Sequence, residues 1–132
     1  MSVRPTAAIL VAPGTNRDRD VVLALDLAGA DSVVVSITDL ERNANVIDAA
    51  QMIVIAGGFS FADALGSGHV FALELEMLLG DRLQQAVGDG RPIIGICNGF
   101  QTLVRMGLLS SGAGAMALDH NEHGLFDCRW VT

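Results

Sequence analysis

The chain has 132 residues, 51% of them hydrophobic and 5% aromatic, with a formal charge of −7, eight arginines and no lysine. That size suits one domain, 1–132, built around Val, Ile, Leu and Ala, and acidic charge without a basic run argues against nucleic acid or an anionic membrane surface as a partner. No apolar stretch is long enough to span a bilayer, Met1-Ser-Val-Arg-Pro-Thr6 is unlike a signal peptide, and Cys97 and Cys128 are too few for a disulfide framework and lack a CxxC metal spacing; a cytoplasmic protein is expected.

Ala7-Ala-Ile-Leu-Val-Ala12 is the continuous apolar run of a strand buried on both faces, and Pro13-Gly14-Thr15-Asn16 is a turn with Thr15 or Asn16 placed to cap a helix. Val21, Val22, Leu25 and Ala28 recur at helical spacing up to Gly29. Ser32 to Ile37 reads as a second strand, Asp39 to Ala50 as polar and then weakly helical, and Met52 to Ala56 as a third strand closed by Gly57-Gly58. A long loop runs to Gly68, and a helix from Val70 to Val87 carries Phe71, Leu75, Leu78 and Leu79 on its apolar side. Pro92 to Ile96 is the fourth strand, followed at once by a helix to about Met106. Beyond it, Gly112-Ala-Gly114 is a loop and Leu125 to Val131 a candidate further strand, with Cys128 a buried structural thiol. The alternation predicts an α/β fold: an open, largely parallel sheet with helices on both faces and its glycine-rich strand ends gathered on one rim.

Gly95-Ile-Cys-Asn-Gly99 stands at the last strand-to-helix junction and has the form G-x-C-x-G. It is the thiol counterpart of the nucleophile elbow, a strained turn that lifts Cys97 out of the sheet and aims helix N-terminal N–H groups at the reacting atom. A buried, inert cysteine is the alternative. The Asn98 N–H is one oxyanion donor, and the Gly57-Gly58 turn on the neighbouring strand end offers another, unless it is only a strand-ending turn. His69 reads as a solvated loop histidine, and Asp18 and Asp20 as partners of a helix dipole. Gly66-Ser-Gly68 is too sparse for a phosphate loop, and His120 with His123 lack a third ligand, so no metal site is assigned.

Ala56-Gly-Gly-Phe-Ser-Phe-Ala-Asp63 together with Gly95-Ile-Cys-Asn-Gly-Phe-Gln101 resembles the class I (triad) glutamine amidotransferases, which are flavodoxin-like. More narrowly, it resembles the glutaminase subunits of phosphoribosylformylglycinamidine synthase. Ala12-Pro-Gly-Thr-Asn16, Asp18-Arg-Asp20, Leu65-Gly-Ser-Gly68 and Arg129-Trp-Val131 strengthen that likeness. It departs at Phe61-Ala62, where the family usually has Tyr-Gly, and at Arg17, where the family often has a small residue or Cys. The resemblance implies that Cys97 attacks the side-chain amide of glutamine through a thioester and that Gly58 and Asn98 are the oxyanion donors. It further implies that Gln101 and the loop Phe59, Ser60 and Phe61 line the glutamine pocket. The ammonia released would pass to a large synthetase subunit of purine biosynthesis, with or without a small accessory subunit. ATP and Mg are expected on that partner and no cofactor in this chain.

The family's base and orienting carboxylate form an H-x-E pair far beyond the elbow. His120-Asn-Glu122 has that spelling but follows Cys97 too closely and is read as a coincidence. The expectation is an amino-terminal portion truncated at the C-terminus, with weak turnover alone and an exposed sheet edge and apolar faces. Two other readings remain: a non-catalytic partner-binding remnant of the fold, and a cysteine-elbow thiol protein of the stress-response hydrolase and chaperone type. The latter has His directly after the cysteine, where this chain has Asn98.

Overall fold

A computed structural model describes residues 3–110 and 114–132. The apolar run after Pro5 forms β1 (Thr6–Val11), which lies inside a four-stranded sheet of order β2-β1-β3-β4 with β2 (Asp31–Ser36), β3 (Met52–Ile55) and β4 (Ile93–Gly95). Every pairing is parallel: Leu10 stands beside Val35 and Ile55, and Ile55 stands beside Gly95. This is the flavodoxin-like order through its fourth strand, with the change of direction between β1 and β3.

The pleat sorts the core into two layers. Ala8, Leu10, Ile53 and Ile55 point to the side covered by α2 (Ile37–Arg42), α3 (His69–Gly88) and α4 (Asn98–Arg105). Phe71, Leu75, Leu79 and Leu83 recur every four residues along α3 as one fully buried stripe, each contributing about 1.5–3 kcal/mol by its burial. Ile9 and Val54 point the other way, to α1 (Asp18–Leu27) and its Val21. Helices thus cover both faces, but unequally. No helix among the described residues is long and apolar enough to cross a membrane.

Several local expectations are corrected. Ile37 does not end β2. It opens α2, because the Ser36 side chain accepts from the Asp39 N–H at 3.2 Å while the Asp39 carboxylate accepts from the Ser36 N–H at 2.9 Å, a reciprocal cap that turns the chain. Neither Thr15 nor Asn16 caps α1, whose N-cap is Arg17 with no side-chain cap. The Thr15 hydroxyl instead accepts from the Ala12 N–H and closes the Pro13-Gly14 turn. Leu125 to Val131 is not a strand, because none of the described strands pairs with it, and Cys128 is accordingly exposed rather than buried. The predicted loop at Gly112-Ala113 lies outside the described residues. The expected open edge is present: β4 has a neighbour on one side only, and Ile94 and Ile96 are 42% and 47% exposed.

Candidate active site

Cys97 follows β4 by one residue and immediately precedes α4. Its backbone has φ 55° and ψ −112°, a conformation that costs a non-glycine residue on the order of 1–3 kcal/mol and persists only when its surroundings enforce it. Three contacts do so. A Cβ on Gly99 would collide with the Ile55 carbonyl oxygen, and one on Gly95 would lie 2.5 Å from the Gly99 carbonyl oxygen and 2.7 Å from Leu103 Cδ1. The Ile96 N–H donates to the Ile55 carbonyl at 3.2 Å, which ties the chain just before Cys97 to β3. Both glycines of the G-x-C-x-G pattern are therefore required by close main-chain approach. The thiol is exposed, so the buried, inert reading of Cys97 is set aside.

The end of β3 lies against this elbow. A Cβ on Gly57 would stand 2.9 Å from the Ile96 carbonyl oxygen and 3.3 Å from Cys97 Cβ. Gly58 has φ 130° and bridges Thr15 in the turn after β1, while the Phe59 N–H donates to the Gly14 carbonyl at 3.1 Å. The three glycine-marked strand ends thus meet on one rim, where open parallel sheets bind ligands. Asn98 is the first residue of α4, so its N–H has no intrahelical acceptor and belongs to the partly positive helix terminus beside the thiol.

The remaining candidates divide. Gln101, half-buried in the first turns of α4, lines a cleft of about 410 Å³ with Leu65, Gly66, Arg105, Leu118 and His120. Cys97 is not among the residues lining it. Phe59 is 61% exposed. Phe61 packs against the larger core layer, and Ser60, only 3% exposed, turns its hydroxyl inward to the side chain of Asn98. The Asn98 side chain is itself buried, accepting from Ser60 Oγ at 2.5 Å and donating from Nδ2 to Asp63 Oδ1 at 2.8 Å. Asp63 was not expected at the site from its sequence. The available signal was that it is the only charged residue between Gly57 and Gly68.

His69 is half-buried at the first position of α3, its Nδ1 3.4 Å from the Arg105 guanidinium, which also donates to the Ser67 carbonyl at 2.7 Å. No hydrogen bond among the described residues joins His120 to Glu122, both of which are exposed. His123 Nδ1 accepts from the Leu125 N–H, and no cluster of His, Cys, Asp and Glu suited to a metal ion occurs among the described residues.

Comparison with known proteins fits this geometry. The CobB/CobQ-like glutamine amidotransferase domain matches residues 4–132. The phosphoribosylformylglycinamidine synthase subunit PurQ of Treponema denticola is 42% identical over 98% of this chain and 53% of its own length. The PurQ of Dehalococcoides mccartyi is 38% identical over 93% of this chain and 49% of its own. The solved structure of PurLQS from Thermotoga maritima superposes with a TM-score of 0.75 at 36% identity, covering 98% of this chain and 54% of the matched one. The chain spans about half the length of the curated relatives it matches. With its cysteine elbow, its parallel sheet and a family match along nearly its whole length, the chain belongs to the class I glutamine amidotransferases, in the CobB/CobQ-like family.

Proposed function

We propose that this chain carries the nucleophile of a glutaminase that serves phosphoribosylformylglycinamidine synthase in purine biosynthesis. The observation that supports it most is the left-handed backbone at Cys97, with the Gly57-Gly58 turn against its Cβ. In this reading the Cys97 thiolate adds to the side-chain amide carbon of glutamine, and the amide oxygen takes up the electron pair between the N–H groups of Gly58 and Asn98. Collapse of that intermediate expels ammonia, once the leaving nitrogen has been protonated, and leaves a γ-glutamyl thioester. Water hydrolyses the thioester to glutamate through a second oxyanion in the same place.

Gln101, one helical turn past Cys97, and exposed Phe59 hold the glutamine. The inward hydroxyl of Ser60 and the core-packed ring of Phe61 shape the loop beneath it. The ammonia is consumed by a large synthetase subunit, which binds the ATP and magnesium and activates the acceptor for amination. The relatives named PurQ and the PurLQS structure support this pairing, and a cytoplasmic location goes with it.

The test is glutamate release from glutamine by the protein together with its synthetase subunit, beside Cys97→Ala. Release that the substitution abolishes is the expected result. An equal rate in the variant, or none in either protein when the synthetase is present and active, would sink the proposal.

A further inference from the structure

The loop after the Gly57-Gly58 turn holds an unusual backbone. Phe61, Ala62 and Asp63 have φ of 50°, 52° and 55°, three consecutive non-glycine residues in left-handed geometry. Each such residue costs roughly 1–2 kcal/mol, so the turn exists only because other bonds hold it. Three short main-chain bonds close it: Phe61 N–H to the Pro13 carbonyl at 2.6 Å, Ala62 N–H to Phe59 at 2.9 Å and Ala64 N–H to Phe61 at 3.1 Å. Two side-chain bonds then reach across 35 and 38 positions of sequence to one residue, Asn98. Donation to Asp63 fixes the NH₂ end of that amide, and donation from the Ser60 hydroxyl fixes its oxygen end. The side chain is therefore held in a single orientation.

We infer that Asp63 and Ser60 are positioning residues that act through the Asn98 side chain to set the oxyanion site beside Cys97. Asn98 is the residue whose main-chain N–H stands next to the nucleophile, and the loop that grips it is continuous with Gly58, the other donor. The left-handed turn makes the grip possible, because it brings the Asp63 carboxylate back over the start of α4. The two halves of the oxyanion site, which belong to different strand ends, are thereby locked to one another. The inference takes its substrate from the glutaminase reading but its geometry from these bonds alone.

Two reactions of Cys97 separate this role from simple structural support. They are run on the intact chain with Cys128→Ser, since Cys128 is also exposed, and Cys97→Ala supplies the background. With p-nitrophenyl acetate, the thiolate adds to the ester carbonyl, a C–S bond forms, the carbonyl oxygen becomes an oxyanion, and p-nitrophenolate leaves with the electron pair of the broken C–O bond. With iodoacetamide, the same thiolate displaces iodide from a methylene carbon and no oxyanion forms. Asp63→Ala is expected to slow acylation about 10- to 100-fold and to change alkylation less than about twofold, because it misplaces a donor rather than the nucleophile. Asp63→Asn, which keeps an acceptor oxygen for Asn98 Nδ2, is expected to restore most of the acylation rate.

A fall in both rates, or in neither, overturns the inference. Should Asp63→Ala not fold, as judged by circular dichroism, the same ratio in Ser60→Ala decides in the same way. Acylation that depends on Asp63 in a protein that never releases glutamate would keep the clamp and reject the glutaminase reading.

Discussion

Ala62 occupies a left-handed position, φ 52°, where its Cβ is tolerated at a cost. Ala62→Gly removes that cost but gives the unfolded chain more freedom. The expected net gain is about 0.5–1 kcal/mol, seen as a higher urea midpoint with an unchanged slope. Gly99→Ala goes the other way. Its new methyl meets the Ile55 carbonyl, main chain that has no rotamer to yield, and the expected loss is about 1–3 kcal/mol or more in the same assay. Cys97 and its glycines were legible because the elbow is local: five adjacent residues state both the strain and its relief. The grip of Asp63 on Asn98 was not, because no short-range pattern marks a bond across 35 positions.

At the scale of elements, strands announced themselves as apolar runs and α3 by Phe71, Leu75, Leu78 and Leu79 on one side, so the succession of strands and helices along the chain followed with few errors. Boundaries failed where an apolar residue suits either neighbour, as Ile37 does. The Ser36-x-x-Asp39 signal for a helix start was present there and outweighed by the run before it. Ser36→Ala is expected to cost about 1 kcal/mol in thermal or urea unfolding. The Asp39 carboxyl is held below its ordinary value first by the Ser36 hydroxyl and then by the Ser36 N–H. A depressed carboxylate stabilises the fold above its unfolded value and loses that contribution as pH falls through the folded one. The stability difference between the parent and Asp39→Ala should therefore be full at neutral pH and shrink in the acid range, below the ordinary carboxylate value. A difference independent of pH would show that the cap does not act through charge.

For the whole molecule, the two faces of the sheet are covered to different extents, and the described chain after α4 adds no strand. Composition announced a Val, Ile, Leu and Ala core correctly, but the apolar string from Leu125 to Val131 suggested burial that did not follow. Alternation shows what a segment suits, not whether a partner strand is at hand. Trp130, the single tryptophan, is fully exposed, and Phe126, four positions earlier, is 91% exposed. Its fluorescence maximum in the isolated chain should already be that of indole in water and should not move to the red in urea while circular dichroism reports unfolding. A red shift would mean that the segment is packed in solution.

Cys97 is held behind a strand of three residues with one hydrogen-bonded neighbour. Segments secured so lightly open in amide exchange at free energies well below that of global unfolding, and whatever they carry opens with them. Each excursion of β4 from β3 releases the Ile96 bond to Ile55 and with it the enforced backbone at Cys97. A further strand paired along that margin is therefore expected to slow amide exchange at Ile96 and to hold the backbone at Cys97 more firmly.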